Sequence, residues 1–373
     1  MNGAITAITM PKWGLTMTDG MVAEWHVEPS TAIAVGQEIV EIETPKITNV
    51  YESPVAGQLR RLVAPQGATV PVGGLLAVLA DDSVGEAEID AFVAKFQAEF
   101  VPEASGADEA AASPAMLEVG PHRLRYLRLG PKAGVPLLLL HGFGADLNTW
   151  MFNQPALAEH CDTIALDLPG HGGSSKAVGA DPWTELLGAL AGFMAAADLS
   201  RAHLVGHSMG GALALALAGA HPGRVASLTL IAPGGFGPEI NMGFIDGIAR
   251  AQRRKEVKDA LEQLVADPSA ISRSMVDEVL KYKRLDGVAE ALTSIAAALF
   301  PGGRQAGNLR EALARAAMPR QLIWGRQDRI IPASHAEALP DGIPVYLIDG
   351  AGHLPHMEKS SEVNRLIVNS HPH

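Results

Sequence analysis

Ser208 stands in Gly206-His207-Ser208-Met209-Gly210, with a glycine two residues to either side. A serine hydroxyl is a poor nucleophile at neutral pH. It needs a proton acceptor and a place for the negative charge that its attack builds on a carbonyl oxygen. The spacing answers the second need. Two glycines let a strand turn sharply into a helix without Cβ clashes, lifting the serine oxygen to a sheet edge beside the unpaired N–H groups of the helix start. The flanks agree, because residues 202–205 form a short apolar run that predicts a buried strand, and residues 212–220, rich in Ala and Leu, predict a helix. Glycine and serine are common in loops, so the spacing alone is weak. With both flanks in place it points to a nucleophile for acyl transfer.

Lys46 is the second candidate. Residues 1–80 repeat at one fixed offset, which matches Gly20 with Gly57, Val22 with Leu59, Val35 with Val72, Gly36 with Gly73, Ile39 with Leu76 and Ile42 with Leu79. Short β-rich halves with turn glycines predict two similar sheets closing on one core. Between the halves, residues 38–43 alternate polar with apolar, as a half-buried strand does. Thr44-Pro45-Lys46-Ile47 is then the hairpin that reverses it, with the fixed φ of Pro45 suited to a turn and Lys46 presented at the tip. A turn lysine is ordinarily no more than solvated. At the centre of a two-fold repeat it is a candidate modification site.

The composition narrows the function classes. With 373 residues, 47% hydrophobic, the chain can bury more than one core. A net charge of −12 disfavours a nucleic-acid or anionic-membrane partner. Cys161 is the only cysteine, which rules out an internal disulfide and a cysteine-based zinc site, and it is expected to be a buried structural thiol. No basic segment followed by a long apolar core opens the chain, and no run is long enough to span a bilayer, so the cytoplasm is the expected compartment.

The positioning elements divide the chain into a β-rich domain over 1–80, a linker over 81–114 and a larger domain over 115–373. Within the linker, Ile89, Phe92, Val93, Phe96 and Phe100 share one face of a helix at about 85–100. Its phenylalanines need a partner, either this chain's own domain or another subunit. From Met116 onward strand and helix patterns alternate, which predicts a mainly parallel sheet covered on both faces. Residues 233–318 show helical patterns without strands and read as a cap over the C-terminal sheet edge.

Met10-Pro11-Lys12-Trp13-Gly14 and Glu43-Thr44-Pro45-Lys46-Ile47 resemble the signatures of the lipoyl (biotinyl-type) domain, a flattened all-β barrel. That resemblance implies N6-lipoyllysine at Lys46. Biotin is the lesser alternative, because the methionines that usually flank a biotinyl lysine are absent. The later part resembles the α/β-hydrolase family through His141-Gly142-Phe143-Gly144, Asp167-Leu168-Pro169-Gly170-His171-Gly172, the Ser208 turn, Gly325-Arg326-Gln327-Asp328 and Gly350-Ala351-Gly352-His353. The resemblance implies a triad in the chain order Ser208, Asp328, His353, each at the end of a predicted strand. His353 would take and return the proton, Asp328 would hold its tautomer, and the Phe143 and Met209 N–H groups would form the oxyanion hole. Read singly, His353 fits a satisfied loop histidine and Asp328 a helix cap. His141, His171, His207 and His356 read as structural.

The pair of domains is similar to the acyltransferase (E2) family of acetoin-cleaving dehydrogenase complexes, in the version whose catalytic domain is an α/β-hydrolase. No histidine here opens the His-x-x-x-Asp-Gly signature of the other E2 catalytic domain; His335 comes nearest, two positions short of Asp341-Gly342. The resemblance implies acetyl transfer from acetyl-dihydrolipoyl-Lys46 through Ser208 to coenzyme A, with thiamine-dependent E1 and dihydrolipoamide dehydrogenase (E3) as partners and an oligomeric assembly. It implies no metal. Two other readings stay open: a serine esterase or thioesterase with water as acceptor, and a lipoyl carrier whose second domain is scaffold. Arg250, Arg253, Arg254, Lys255 and Lys258 form a basic cluster in the cap that would suit coenzyme A phosphates, although Glu256, Asp259 and Glu262 lie close enough to make it a neutral helix face.

Overall fold

The computed structural model describes residues 5–13, 17–44, 48–101, 113–271, 273–337, 339 and 342–370. The chain divides into two compact units, Met1–Ala111 and Ala112–His373.

Among the described residues the first unit holds eight short strands: β1 (Ile5–Thr9), β2 (Asp19–Trp25), β3 (Ala32–Ile33), β4 (Glu38–Glu43), β5 (Thr48–Glu52), β6 (Gly57–Leu62), β7 (Thr69–Pro71) and β8 (Leu75–Ala80). They form two four-stranded antiparallel sheets, ordered β1-β8-β6-β3 and β5-β4-β2-β7. Repeat-related residues meet in one core: Val22, Ile39 and Ile42 pack with Leu59, Leu76 and Leu79. Gly20 and Gly57 repeat each other sterically. A Cβ on Gly20 would lie 2.7 Å from the Ile42 side chain, and one on Gly57 would lie 3.2 Å from Leu79. Gly36 and Gly73 both hold left-handed φ, +79° and +78°. The Val35–Val72 match does not extend to burial, since Val35 sits at a turn and is 62% exposed. In β4 the alternation is interrupted, because a register shift against β5 buries Ile39 and Val40 side by side. Glu43 pairs with Thr48, so residues 44–47 connect the hairpin; Lys46 itself lies outside the described residues.

The helix Glu86–Glu99 is part of this unit. Ile89 is fully buried on β8, in a cluster with Leu75, Val78, Ala80 and Val84, and Phe92, Val93 and Phe96 pack against the same cluster. Arg60 and Arg61 of β6 pair with Glu86, and Arg61 also pairs with Asp90. The chain's own first unit is therefore what covers the phenylalanine face.

The second unit contains β9 (Ala115–Val119), β10 (His122–Leu129), β11 (Leu137–Leu140), β12 (Thr163–Leu166), β13 (Ala202–His207), β14 (Val225–Ile231), β15 (Arg320–Gly325) and β16 (Val345–Ile348). One eight-stranded sheet results, ordered β16-β15-β14-β13-β11-β12-β10-β9. The pairs from β12 through β16 are parallel, whereas β9 and β10 join antiparallel. The central strands β11, β12 and β14 are buried throughout, as the inner strands of a parallel sheet are. Between β14 and β15 the described residues are helical or irregular, with helices at Met242–Arg250, Arg254–Leu261, Arg273–Lys283, Val288–Leu299 and Arg310–Arg315. Cys161 is half-buried rather than buried, and burial pushes its thiol pKa up. No helix among the described residues is long and apolar enough to cross a membrane.

Candidate active site

Ser208 sits between β13 and the helix Met209–Ala220 with φ 51° and ψ −114°, a conformation that L-residues rarely adopt and that the surrounding packing must hold. The neighbouring glycines show why the turn closes. A Cβ on Gly206 would lie 2.4 Å from the Gly210 carbonyl oxygen, and one on Gly210 would lie 2.4 Å from that of Leu140. The His141–Gly144 loop after β11 abuts the same turn, because a Cβ on Gly142 would lie 3.2 Å from Ser208 Cβ. Among the described residues, neither the Phe143 nor the Met209 backbone N–H has a hydrogen-bond partner. Both residues line a cavity together with Ser208.

Asp328 follows β15 and His353 follows β16. His353 Nδ1 and Asp328 Oδ2 are 2.7 Å apart, with both side chains almost wholly buried. The other Asp328 oxygen accepts from the backbone N–H groups of Ile330 at 2.8 Å and Ile331 at 3.0 Å. Trp324 Nε1 donates to Oδ2 at 3.0 Å and shares that proton with the Ile331 carbonyl. The carboxylate is thus held on both faces. The His353 loop is fixed separately by Glu358, whose carboxylate accepts from the Gly352 and Ala266 N–H groups while burial holds its pKa above the usual carboxylate range. His207 ties the serine turn to this loop: its Nε2 lies 2.8 Å from the His353 carbonyl, and the two rings are 4.7 Å apart. No hydrogen bond joins Ser208 Oγ to His353 among the described residues, a contact that in serine enzymes commonly tightens only with substrate bound.

Four further histidines are buried and neutral. Burial pushes His141 down to about 4 and His171 and His356 to about 3, and holds His207 well below its ordinary value. His141 Nε2 accepts from the Leu168 N–H, which leaves Nδ1 to donate to the Gly142 carbonyl and brace the Phe143 loop. These histidines hold loops in place. Trp324, Glu358 and the Ile330–Ile331 amides were not singled out from the sequence, where nothing marks them beyond their places near strand ends.

The basic cluster at residues 250–258 carries no surplus charge. Arg250, Arg253, Arg254, Lys255 and Lys258 each pair with a carboxylate, on Asp246, Glu256, Asp277, Asp259 and Glu262 respectively.

Residues 135–360 match the model of the alpha/beta hydrolase fold, and residues 6–79 match that described as biotin-requiring enzyme. The dihydrolipoyllysine-residue acetyltransferase component of the acetoin cleaving system of Pseudomonas putida is 47% identical over 98% of this chain and 98% of its own length. The chain belongs to this acetyltransferase family. The corresponding component of Cupriavidus necator is 45% identical over 97% of this chain and 96% of its own. A meta-cleavage product hydrolase from Pseudomonas fluorescens IP01 aligns with 68% of this chain and 96% of its own at a TM-score of 0.62. At 23% identity that likeness is one of fold. The family thus joins an attachment domain to a hydrolase-type domain, and Ser208 lies in the second.

Proposed function

We propose that this chain moves an acetyl group from the dihydrolipoyl group of Lys46 to coenzyme A in an acetoin-cleaving dehydrogenase system, by way of an acyl-enzyme on Ser208. The supporting observation is the Asp328–His353 pair at 2.7 Å, tied through His207 to the turn of a strained serine, with the Phe143 and Met209 amides unpartnered among the described residues. Lys46 fits as the attachment point. It is the only lysine of the first unit on the connection between β4 and β5; Lys12 precedes the hairpin and Lys95 lies on the helix. A lipoyl group there supplies a thiol that carries acetyl as a thioester.

His353, held by Asp328 with its proton on Nδ1, presents Nε2 as the base that takes the Ser208 proton. Ser208 Oγ bonds to the acetyl carbon, and the Phe143 and Met209 N–H groups hold the oxyanion. The carbon–sulfur bond breaks, and His353 returns its proton to the departing thiol. The coenzyme A thiol then attacks the acyl-enzyme, gives its proton to His353, and Ser208 regains it. Thiamine-dependent E1 and dihydrolipoamide dehydrogenase are the partners that this role requires, in the cytoplasm.

The test measures products from acetyl-dihydrolipoamide with and without coenzyme A. Acetyl-coenzyme A formation that depends on Ser208 supports the reading. Acetate released at the same rate whether or not coenzyme A is present overturns it in favour of a thioesterase.

A further inference from the structure

Beside Ser208 lies a cavity of about 310 Å³, far larger than an acetyl group fills. A cavity of about 150 Å³ lined by apolar side chains already admits a six-carbon ring. The walls are Phe244, Ile245, Leu299, Phe300, Leu309 and Ile330, among others, and no charged residue lines it among those described. The one side-chain amide at the wall, Gln305, is committed at both ends. Its Oε1 accepts from the Gly235 N–H at 2.7 Å, and its Nε2 donates to the Glu239 carbonyl at 2.7 Å. The walls therefore reward apolar length and offer little to orient a polar acyl chain.

We propose that this cavity is an acyl pocket for straight, apolar chains of about six to eight carbons, giving the Ser208 site a further activity on medium-chain esters and thioesters. It rests on Ser208 being the nucleophile assigned above. The choice of acetyl is then made by whatever loads the thioester, since the pocket itself does not select for a methyl group.

With a p-nitrophenyl ester the balance is simple. Ser208 Oγ bonds to the acyl carbon, the ester carbon–oxygen bond breaks and nitrophenolate leaves. Water then attacks the acyl-enzyme, its proton passes through His353 to Ser208, and the fatty acid is released.

The experiment compares kcat/KM on the full-length protein for p-nitrophenyl acetate, butyrate, hexanoate, octanoate and dodecanoate, which share one leaving group. Each buried methylene contributes up to about fourfold, so hexanoate or octanoate should exceed acetate by at least tenfold, with a fall at dodecanoate. Ala298→Phe, at the cavity wall, should lower the octanoate-to-acetate ratio by at least tenfold, and Leu309→Trp gives a second test from another wall. A profile that is flat, or highest at acetate, overturns the acyl pocket. Absence of turnover on every ester also overturns it. Acetyl transfer from acetyl-dihydrolipoamide to coenzyme A, measured on the same preparation, separates these failures from failure of the proposed function.

Discussion

Replacing Asp328 by Asn tests the proposed triad at the point where its geometry is tightest. Asparagine keeps the shape and exchanges one oxygen for an NH2 group, which must face one of two sets of partners. Turned towards the Ile330 and Ile331 amides, it would set donor against donor and strand two buried N–H groups, at about 1–3 kcal/mol each. Turned towards His353 and Trp324, it leaves the Trp324 indole its second acceptor, the Ile331 carbonyl. The second orientation wins by the larger of these penalties. His353 Nδ1 must then accept from the new NH2 group, so its proton moves to Nε2 and the atom facing substrate can no longer take one from Ser208. A wrong tautomer of this kind lowers kcat by about 10⁴-fold, or about 5.4 kcal/mol of transition-state stabilisation. Stability should change far less, because every backbone partner of the carboxylate is kept. The assay is single-turnover acetyl transfer from acetyl-dihydrolipoamide, run beside urea unfolding of the same preparation. A folded Asp328→Asn protein within tenfold of the parent rate would refute the tautomer argument.

Lys46 should carry lipoate when the protein is made in lipoate-replete cells, and peptide mass analysis that finds it unmodified would remove the carrier half of the proposal. Ser208→Ala should abolish acetyl transfer yet leave Lys46 lipoylated, whereas Lys46→Arg should still turn over free acetyl-dihydrolipoamide; equal loss in both assays would contradict separate roles for the two units. Ile89→Ala, at the fully buried contact on β8, should destabilise the first unit by about 2–5 kcal/mol, read as an earlier urea transition, and no shift would deny that the helix is integral. His141, His171 and His356 are depressed by burial to about 4, 3 and 3. The unfolded chain therefore binds more protons than the folded one below about pH 6.5. Stability should be full above that pH and fall as pH drops, by about 2 kcal/mol per histidine between pH 8 and pH 5; unfolding midpoints that stay level over this range would speak against buried neutral rings.

The parts of the site that were legible in the sequence are those whose constraint is local. Gly206 and Gly210 mark the turn because any Cβ there strikes backbone only a few residues away in the chain or on the adjoining strand end. Asp328 and His353 each stand just past a short apolar strand, so a parallel sheet carries both to one edge. Bonds made across the fold left no such trace. Glu358 reaches Ala266, Trp324 touches Asp328 only because of how the loop after β15 folds back, and His207 meets the His353 carbonyl from a strand three places away in the sheet.

The helix Glu86–Glu99 marks the boundary between these cases. Its apolar spacing shows in the sequence that some surface must cover Ile89 and Phe96, but periodicity carries no address. The address is the outer face of β8, where Leu75, Val78 and Ala80 are buried as well, so that strand has apolar neighbours on both sides and reads as one unbroken run. In the basic cluster at residues 250–258, charge behaves the same way. Four of the five basic residues find their acid three or four places along the same helical stretch, a spacing visible in the sequence. Arg254 is instead paired with Asp277 on the next helix but one after Met242–Arg250, a contact that only packing creates. With all five paired, that helix face offers little net attraction to coenzyme A phosphates, so the proposed acceptor would be recognised through its thiol arm or at another surface.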